Sequence, residues 1–116
     1  MNIEELREFC LSFKGVTESF PFDETTLVFK VFKIFCFVSL EGDFRITIKN
    51  DPEKIIQMRE EFSSVIPGYH TNKTYWNTVY IDGTIPVETL KIWIAESYNL
   101  IVESLTKKQQ QELENL

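Results

Sequence analysis

The sequence has few of the residues that build metal centres or disulfide frameworks: one histidine, His70, and two cysteines, Cys10 and Cys36. Zinc sites need several Cys or His ligands at short spacings. Here the cysteines are far apart and fall inside apolar patterns. We therefore expect no metal, no other cofactor and two unpaired thiols.

Long apolar runs are also absent. Stretches such as Ile34 to Val38 fall far short of the ~20 residues that span a bilayer. The first residues, Met1 to Glu5, are acidic and lack the basic and apolar regions of a signal peptide. We expect a cytoplasmic protein without membrane contact. The formal charge of -6 argues against extensive binding to nucleic-acid phosphates but leaves a local site open.

Catalytic motifs are missing too. The chain has no Gly-rich phosphate loop, nucleophile elbow or paired-carboxylate motif. Adjacent acids such as Glu60-Glu61 and Asp23-Glu24 are typical of surface charge. His70 has no carboxylate within its own segment to orient it as a general base. We expect no catalytic residues and no enzyme.

Apolar material is plentiful, with 43% hydrophobic residues and ten phenylalanines. Residue patterning predicts one α+β domain over residues 1–116, an antiparallel sheet with helices packed on it, in the order α-β-β-β-α-β-β-α. The predicted elements are helix 2–13, strands 25–32, 33–40 and 44–49, a helix opening at Asp51-Pro52, strands 65–69 and 75–81, and a long helix from Pro86. Residues 17–22 are expected to form a loop, and residues 107–116 a frayed helical tail.

Along the third strand, Arg45, Thr47 and Lys49 alternate with apolar residues, and Lys30 and Lys33 lie in its likely neighbours. This basic ladder could contact phosphates, but a solvated face is the preferred interpretation. In the last helix, Ser97 falls on the apolar stripe. A small residue that allows close helix packing is the simpler interpretation, and a hydroxyl that fixes a functional loop is the alternative.

The segment from Pro67 to Val79 is the strongest candidate site, because no carboxylate occurs from Phe62 to Ile81. Its rings could stack on a ligand, its cations could meet an anion and its amides could bind polar groups. Alternatively, the rings belong to the core and the amides satisfy turn backbone. The candidate ligand or nucleic-acid-binding residues are Tyr69, His70, Asn72, Lys73, Trp76 and Asn77.

Several motifs together resemble the MmcQ/YjbR-like family. They are Phe20-Pro21-Phe22, Phe32-Lys33-Ile34-Phe35, Asp51-Pro52, the pattern Pro67-Gly68-Tyr69-His70-x-Asn72-Lys73-x-x-Trp76-Asn77-Thr78-Val79, Asp82-Gly83, Pro86 and Ser97-Tyr98. The resemblance implies a two-layer fold similar to type III secretion chaperones, also described as CyaY-like or double-wing. It further implies DNA binding, by analogy of fold. Thr71 and Thr74 depart from the family pattern, where a Met and a basic residue are common.

Three functions remain open. The first is weak, salt-sensitive DNA binding through residues 67–79; with about three phosphates neutralised, log affinity would fall with log salt at a slope of roughly -3. The second is a protein-interaction or chaperone-like module that binds a partner or a second copy of itself. The third is a small-molecule site or an unrecognised enzyme beside His70.

Overall fold

In a computed structural model that describes all 116 residues, the chain forms one six-stranded antiparallel sheet with helices against it. The elements are α1 (Ile3–Leu11), β1 (Thr17–Ser19), β2 (Thr26–Val31), β3 (Lys33–Ser39), β4 (Arg45–Lys49), α2 (Pro52–Glu61), β5 (Val65–Pro67), β6 (Trp76–Tyr80), α3 (Val87–Ser104) and α4 (Lys107–Glu114). The predicted α+β class and the predicted order of the main elements are confirmed.

The strand order across the sheet is β1-β2-β3-β4-β6-β5. The first four strands form the expected meander, since each pairs with the next along the chain. Helix α2 then carries the chain to the outer strand β5, and β6 returns between β5 and β4. Strand β6 is therefore an inner strand, and the segment that precedes it lies over the sheet.

A bulge in β3 sets which side chains face each side of the sheet. Phe29 pairs with Cys36 and Lys30 pairs with Ile34, so Phe35 is the extra residue. Phe35 and Cys36 are both fully buried in the core, which leaves Ile34 and Phe37 for the opposite face.

The Ser97 hydroxyl of α3 fills the gap in the ladder beside this bulge. It donates to the Phe35 carbonyl oxygen at 2.6 Å and accepts from the Lys49 amide at 2.9 Å. Ser97 thus joins two strands to the helix through buried backbone groups. The role of Ser97 is therefore structural, but it depends on its hydroxyl, which the interpretation as a small packing residue did not include.

Two segments differ from expectation. Residues Thr17–Ser19, expected in a loop, form strand β1 because they pair with Val28 to Lys30. Residues 107–114, expected to fray, form α4, which begins with a capping box between Thr106 and Gln109. Leu113 of α4 is buried against Gly15, whose positive φ of 77° and close contact with that leucine favour glycine.

The core of 21 buried residues lies between the sheet and the helices. Cys10 and Cys36 are both buried in it as free thiols. None of the helices has the length and apolar character that a bilayer crossing would require.

Candidate binding cleft on the open sheet face

The sheet face opposite the helices, which we call the open face, carries a cleft of about 630 Å³. Its floor is formed by strand residues, and two loops form its walls. The floor residues are Thr26, Ile34, Phe37, Ser39, Arg45, Thr47 and Trp76, and the wall residues are Phe22 and Asp23 on one side and Tyr69, His70, Thr71 and Asn72 on the other. Its volume falls in the range of pockets that hold small ligands.

Strand register brings the floor residues side by side. Val28 pairs with Phe37, Phe37 with Thr47 and Thr47 with Thr78, which makes one continuous row across four strands. Thr47 is only 3% exposed and its hydroxyl lies 2.9 Å from that of Thr78. The predicted solvated face is therefore wrong at this position, because the loop walls cover the middle of the sheet.

The wall from Gly68 to Tyr75 is held by hydrogen bonds within the loop. The Lys73 ammonium donates to the carbonyl oxygens of Gly68 at 2.8 Å and Thr71 at 3.2 Å. The Asn72 Oδ1 accepts from the Thr74 amide at 2.9 Å, which closes an Asx turn. His70 has a positive φ of 56°. These contacts hold the loop in one conformation, and a site that is ordered in advance loses less entropy when it binds a ligand.

Arg59 of α2 fixes the same loop from the helix side of the sheet. Its Nε donates to the Asn77 Oδ1 at 2.7 Å, and its Nη2 donates to the Lys73 carbonyl oxygen. Asn77 is fully buried and its Nδ2 donates to the Ile55 carbonyl oxygen at 3.0 Å. A helix, a strand and the loop therefore meet at one buried amide.

The structure separates the six predicted site residues into two groups. Four line the cleft: Tyr69, His70, Asn72 and Trp76. Lys73 and Asn77 do not, since their polar groups bond inside the protein. They position the wall and are not placed to contact a ligand in the cleft.

Aromatic rings supply much of the apolar surface of the cleft. The Phe37 and Trp76 ring centroids are 6.5 Å apart on the floor. The Tyr69 and His70 rings meet edge to face at 4.2 Å on one wall, and Tyr69 is 61% exposed. Phe22, at 67% exposure, stands on the other wall. A flat ring could enter between them.

Charged groups in the cleft differ from the sequence-based expectation. The predicted carboxylate-free surface is not complete, because Asp23 reaches the cleft from the other wall. Hydrogen bonds from the backbone amides of Thr25 and Thr26 hold the pKa of Asp23 below its usual value, so the carboxylate is ionised at neutral pH. Arg45 provides the opposite charge, with Nη1 bonded to the carbonyl oxygens of Glu41 and Asp43.

Beyond the cleft, the open face carries cations without strand carboxylates. Lys30 and Lys49 lie on this side together with Arg45, and the Lys49 ammonium is 5.6 Å from the Tyr75 ring centroid. The one acidic strand residue, Glu18, pairs with Arg7 of α1 on the helix side. Eleven of the eighteen carboxylates belong to helices. The open face is therefore the more basic side of an acidic protein.

Sequence reasoning missed Phe22, Asp23 and Phe37 as cleft residues and Arg59 as the loop anchor. The alternation of β4 pointed to Arg45, but nothing local indicated that two distant loops would enclose it. The bulge that turns Phe37 toward the cleft depends on pairing with β2. Long-range pairing was the information that residue patterns lacked.

The model of the YjbR family matches residues 11–100. The protein YbdF of Escherichia coli O157:H7 is 36% identical over 109 residues, covering 92% of this chain and 89% of YbdF. The protein YjbR of Escherichia coli K12 is 30% identical over 118 residues and covers both chains fully.

Solved structures agree with these matches. The Deinococcus radiodurans protein DR2400, described as a DUF419 domain, superposes with a TM-score of 0.91 and is 37% identical, covering 97% of this chain and 87% of DR2400. A Pseudomonas syringae protein superposes with a TM-score of 0.74 at 21% identity, covering 86% of this chain and 98% of its own. At this low identity, the second match supports a shared fold and nothing further.

Proposed function

The chain belongs to the YjbR family, and from the geometry of its cleft we propose that it is a non-enzymatic binding domain that holds single-stranded DNA on the open face. The observation that supports this proposal best is the combination of an aromatic cleft with cations at its margins and no carboxylate on the surrounding strands. Its free, buried thiols suit a reducing compartment, so we propose that it acts in the cytoplasm.

Base stacking would occur in the cleft. Phe37 and Trp76 form an apolar floor, and Tyr69 and His70 form an edge that a second base could meet. Stacking on aromatic side chains is a general way to hold unpaired bases, because every base has a π face. The fixed loop keeps these rings in place before binding.

Phosphates would be held at the margins. Arg45 lies on the floor itself, and Lys30 on β2 and Lys49 on β4 lie beside it, while Asp23 would repel a phosphate from its own wall. The Arg45 anchor to the turn carbonyls leaves its Nε and Nη2 without protein partners. With three cations in use, log affinity should fall with log salt at a slope of about -2, given about -0.7 per neutralised phosphate of a single strand.

A single strand fits this site better than a duplex. The rings lie on a floor between two loop walls, where bases paired within a duplex could not reach them. Unpaired bases can be turned outward to enter such a recess. Few cations are available, and the total charge is -6, so extensive duplex contacts are disfavoured.

The test is fluorescence anisotropy of a labelled mixed-sequence strand of about 12 nucleotides across a salt series. We compare Lys49→Gln with Lys91→Gln, a matched loss of one lysine on the helix side, where Lys91 of α3 lies 5.6 Å from the Phe9 ring centroid. Lys49→Gln should weaken binding and make the salt slope shallower by about 0.7. Lys91→Gln should change neither.

Two results would contradict this function. One is the absence of binding at low salt by the folded protein. The other is equal weakening by Lys49→Gln and Lys91→Gln, because a nonspecific response to net charge would not distinguish the two faces.

The second candidate is a small-molecule pocket, which the cleft volume of about 630 Å³ favours. A free mononucleotide separates the two functions. If the cleft is built for a small ligand, the mononucleotide should bind as tightly as the strand. If it holds a strand, the mononucleotide should bind much more weakly and without the salt dependence.

A further inference from the structure

The Asp23 carboxylate occupies a fixed position in the cleft wall. Its Oδ1 accepts from the amides of Thr25 at 2.9 Å and Thr26 at 2.7 Å, and from the Thr25 hydroxyl at 3.2 Å. Its Oδ2 accepts only from the Thr26 hydroxyl, at 3.2 Å. Oδ1 is therefore fully used by hydrogen bonds within the protein, whereas Oδ2 can still accept a hydrogen bond from a ligand.

Asp23 differs from every other polar side chain that lines the cleft. An ionised carboxylate can only accept hydrogen bonds, whereas the hydroxyls of Thr26, Ser39 and Thr47 can donate or accept and Arg45 can only donate. A ligand edge that meets Asp23 must therefore present an N–H or O–H. An edge that presents carbonyl oxygens there would be repelled by the negative charge.

We propose, on the basis of the function proposed above, that Asp23 selects bases that carry an exocyclic amino group and disfavours thymine. Cytosine presents its N4 amino group, and Asp and Glu carboxylates accept hydrogen bonds from that group in protein–DNA recognition. Thymine presents O4 at the same position, and its single N–H lies between two carbonyl groups. Phe22, next to Asp23 and largely exposed, can cover the base as it enters.

The experiment compares labelled oligo(dC) and oligo(dT) of about 12 nucleotides by anisotropy at one low salt concentration. These two pyrimidines have similar size and differ in the edge that meets Asp23. The wild-type protein should bind oligo(dC) about tenfold more tightly than oligo(dT). In Asp23→Asn, Oδ1 still accepts the hydrogen bonds of the turn, and an NH2 donor replaces Oδ2. Because that donor suits the O4 of thymine, the preference for oligo(dC) should vanish or reverse.

A modified ligand provides a measurement that leaves the protein unchanged. Oligo(dC) in which N4 carries two methyl groups has lost both amino hydrogens. It should bind wild-type protein about as weakly as oligo(dT).

The outcomes separate this preference from the function on which it depends. Equal binding of oligo(dC) and oligo(dT) by wild-type protein, or a preference that survives in Asp23→Asn, would overturn the role of Asp23 while DNA binding stands. No binding of either strand would remove the proposed function and the base preference together.

Discussion

The two faces of the sheet are made by the same strands and differ in how their polar groups are used. On the helix side, the polar side chains of Asn77 and Ser97 are fully buried and bonded to backbone or to Arg59. On the open face, Arg45 and Asp23 keep hydrogen-bonding capacity that no protein group fills. The polar groups of the helix face are therefore used within the fold, whereas these two groups of the open face keep unused hydrogen-bonding capacity.

The segment from Pro67 to Val79 contains both kinds of residue. Side chains alternate along β6, so Trp76 faces the cleft while Asn77 faces α2. Tyr69 lies at the cleft, and Lys73 bonds back to the loop. This one segment thus contains residues that line the cleft and residues that hold the loop in place, and mutations should separate the two roles.

The largest expected effect is on the helix side, with Asn77→Ala. The variant removes the bonds to the Arg59 Nε and the Ile55 carbonyl oxygen from a fully buried site. We expect the free energy of unfolding to fall by about 3 kcal/mol, because hydrogen bonds to charged groups are among the stronger ones. Urea unfolding monitored by circular dichroism measures it.

Asn72→Ala is the matched control, since it removes an amide from the open side of the same segment. That side chain closes one Asx turn and is exposed, so its loss should cost about 1 kcal/mol or less. Equal destabilisation by the two variants would contradict the division between the two faces.

The next effect in size concerns the bulge in β3. Ser97→Ala leaves the Phe35 carbonyl and the Lys49 amide without their partner in a buried place. We expect a loss of about 2 kcal/mol, since each buried unsatisfied group costs about 1–3 kcal/mol and a shift of α3 can relieve part of it. Thermal or urea unfolding gives the value.

Ser104→Ala tests whether any α3 hydroxyl would behave in the same way. Its hydroxyl donates to the Ile101 carbonyl oxygen within its own helix, at 2.7 Å. Removing it should change stability by about 0.5 kcal/mol or less. A loss of stability as large as that of Ser97→Ala would show that the bridge between β3 and β4 contributes no more than any other α3 hydroxyl.

Much of the fold could be predicted because its signals are local. Asn2 accepts from the Glu5 amide at the start of α1, which lies within the predicted helix 2–13. Alternation in β4 and the turn residues around it were equally informative. The missed strand β1 is three residues long, and only its partner β2 stabilises it. The missed packing of α4 depends on contact between Leu113 and Gly15, almost a hundred residues apart.

The candidate site could be predicted only in part, for a related reason. Residue types identified Tyr69, His70, Asn72 and Trp76, which do line the cleft. The same types suggested Lys73, but composition does not show that a lysine will satisfy two loop carbonyls. Asp23 enters the cleft from a segment that precedes the sheet. Which polar groups stay unpaired is a property of tertiary contacts, so it is invisible to local patterns.

The smallest expected effect concerns the open face, and it is measured as the pH dependence of stability. The pKa of Asp23 is lowered in the folded state, first by the Thr25 amide and then by the Thr26 amide. A group with a lowered folded pKa stabilises the protein above its unfolded pKa of about 3.9, and this contribution is lost as the pH falls through the folded value.

Asp23→Asn keeps the turn and does not titrate. Its unfolding midpoint in urea should therefore fall less steeply than that of wild type between about pH 5 and pH 2. Glu18 and Asp82, whose pKa values are also lowered, titrate in both proteins and cancel in the difference. Parallel curves would mean that the Asp23 charge is not coupled to folding. In that case its hydrogen bonds to Thr25 and Thr26 would not favour the ionised form, which would remove this support for a fixed acceptor in the cleft wall.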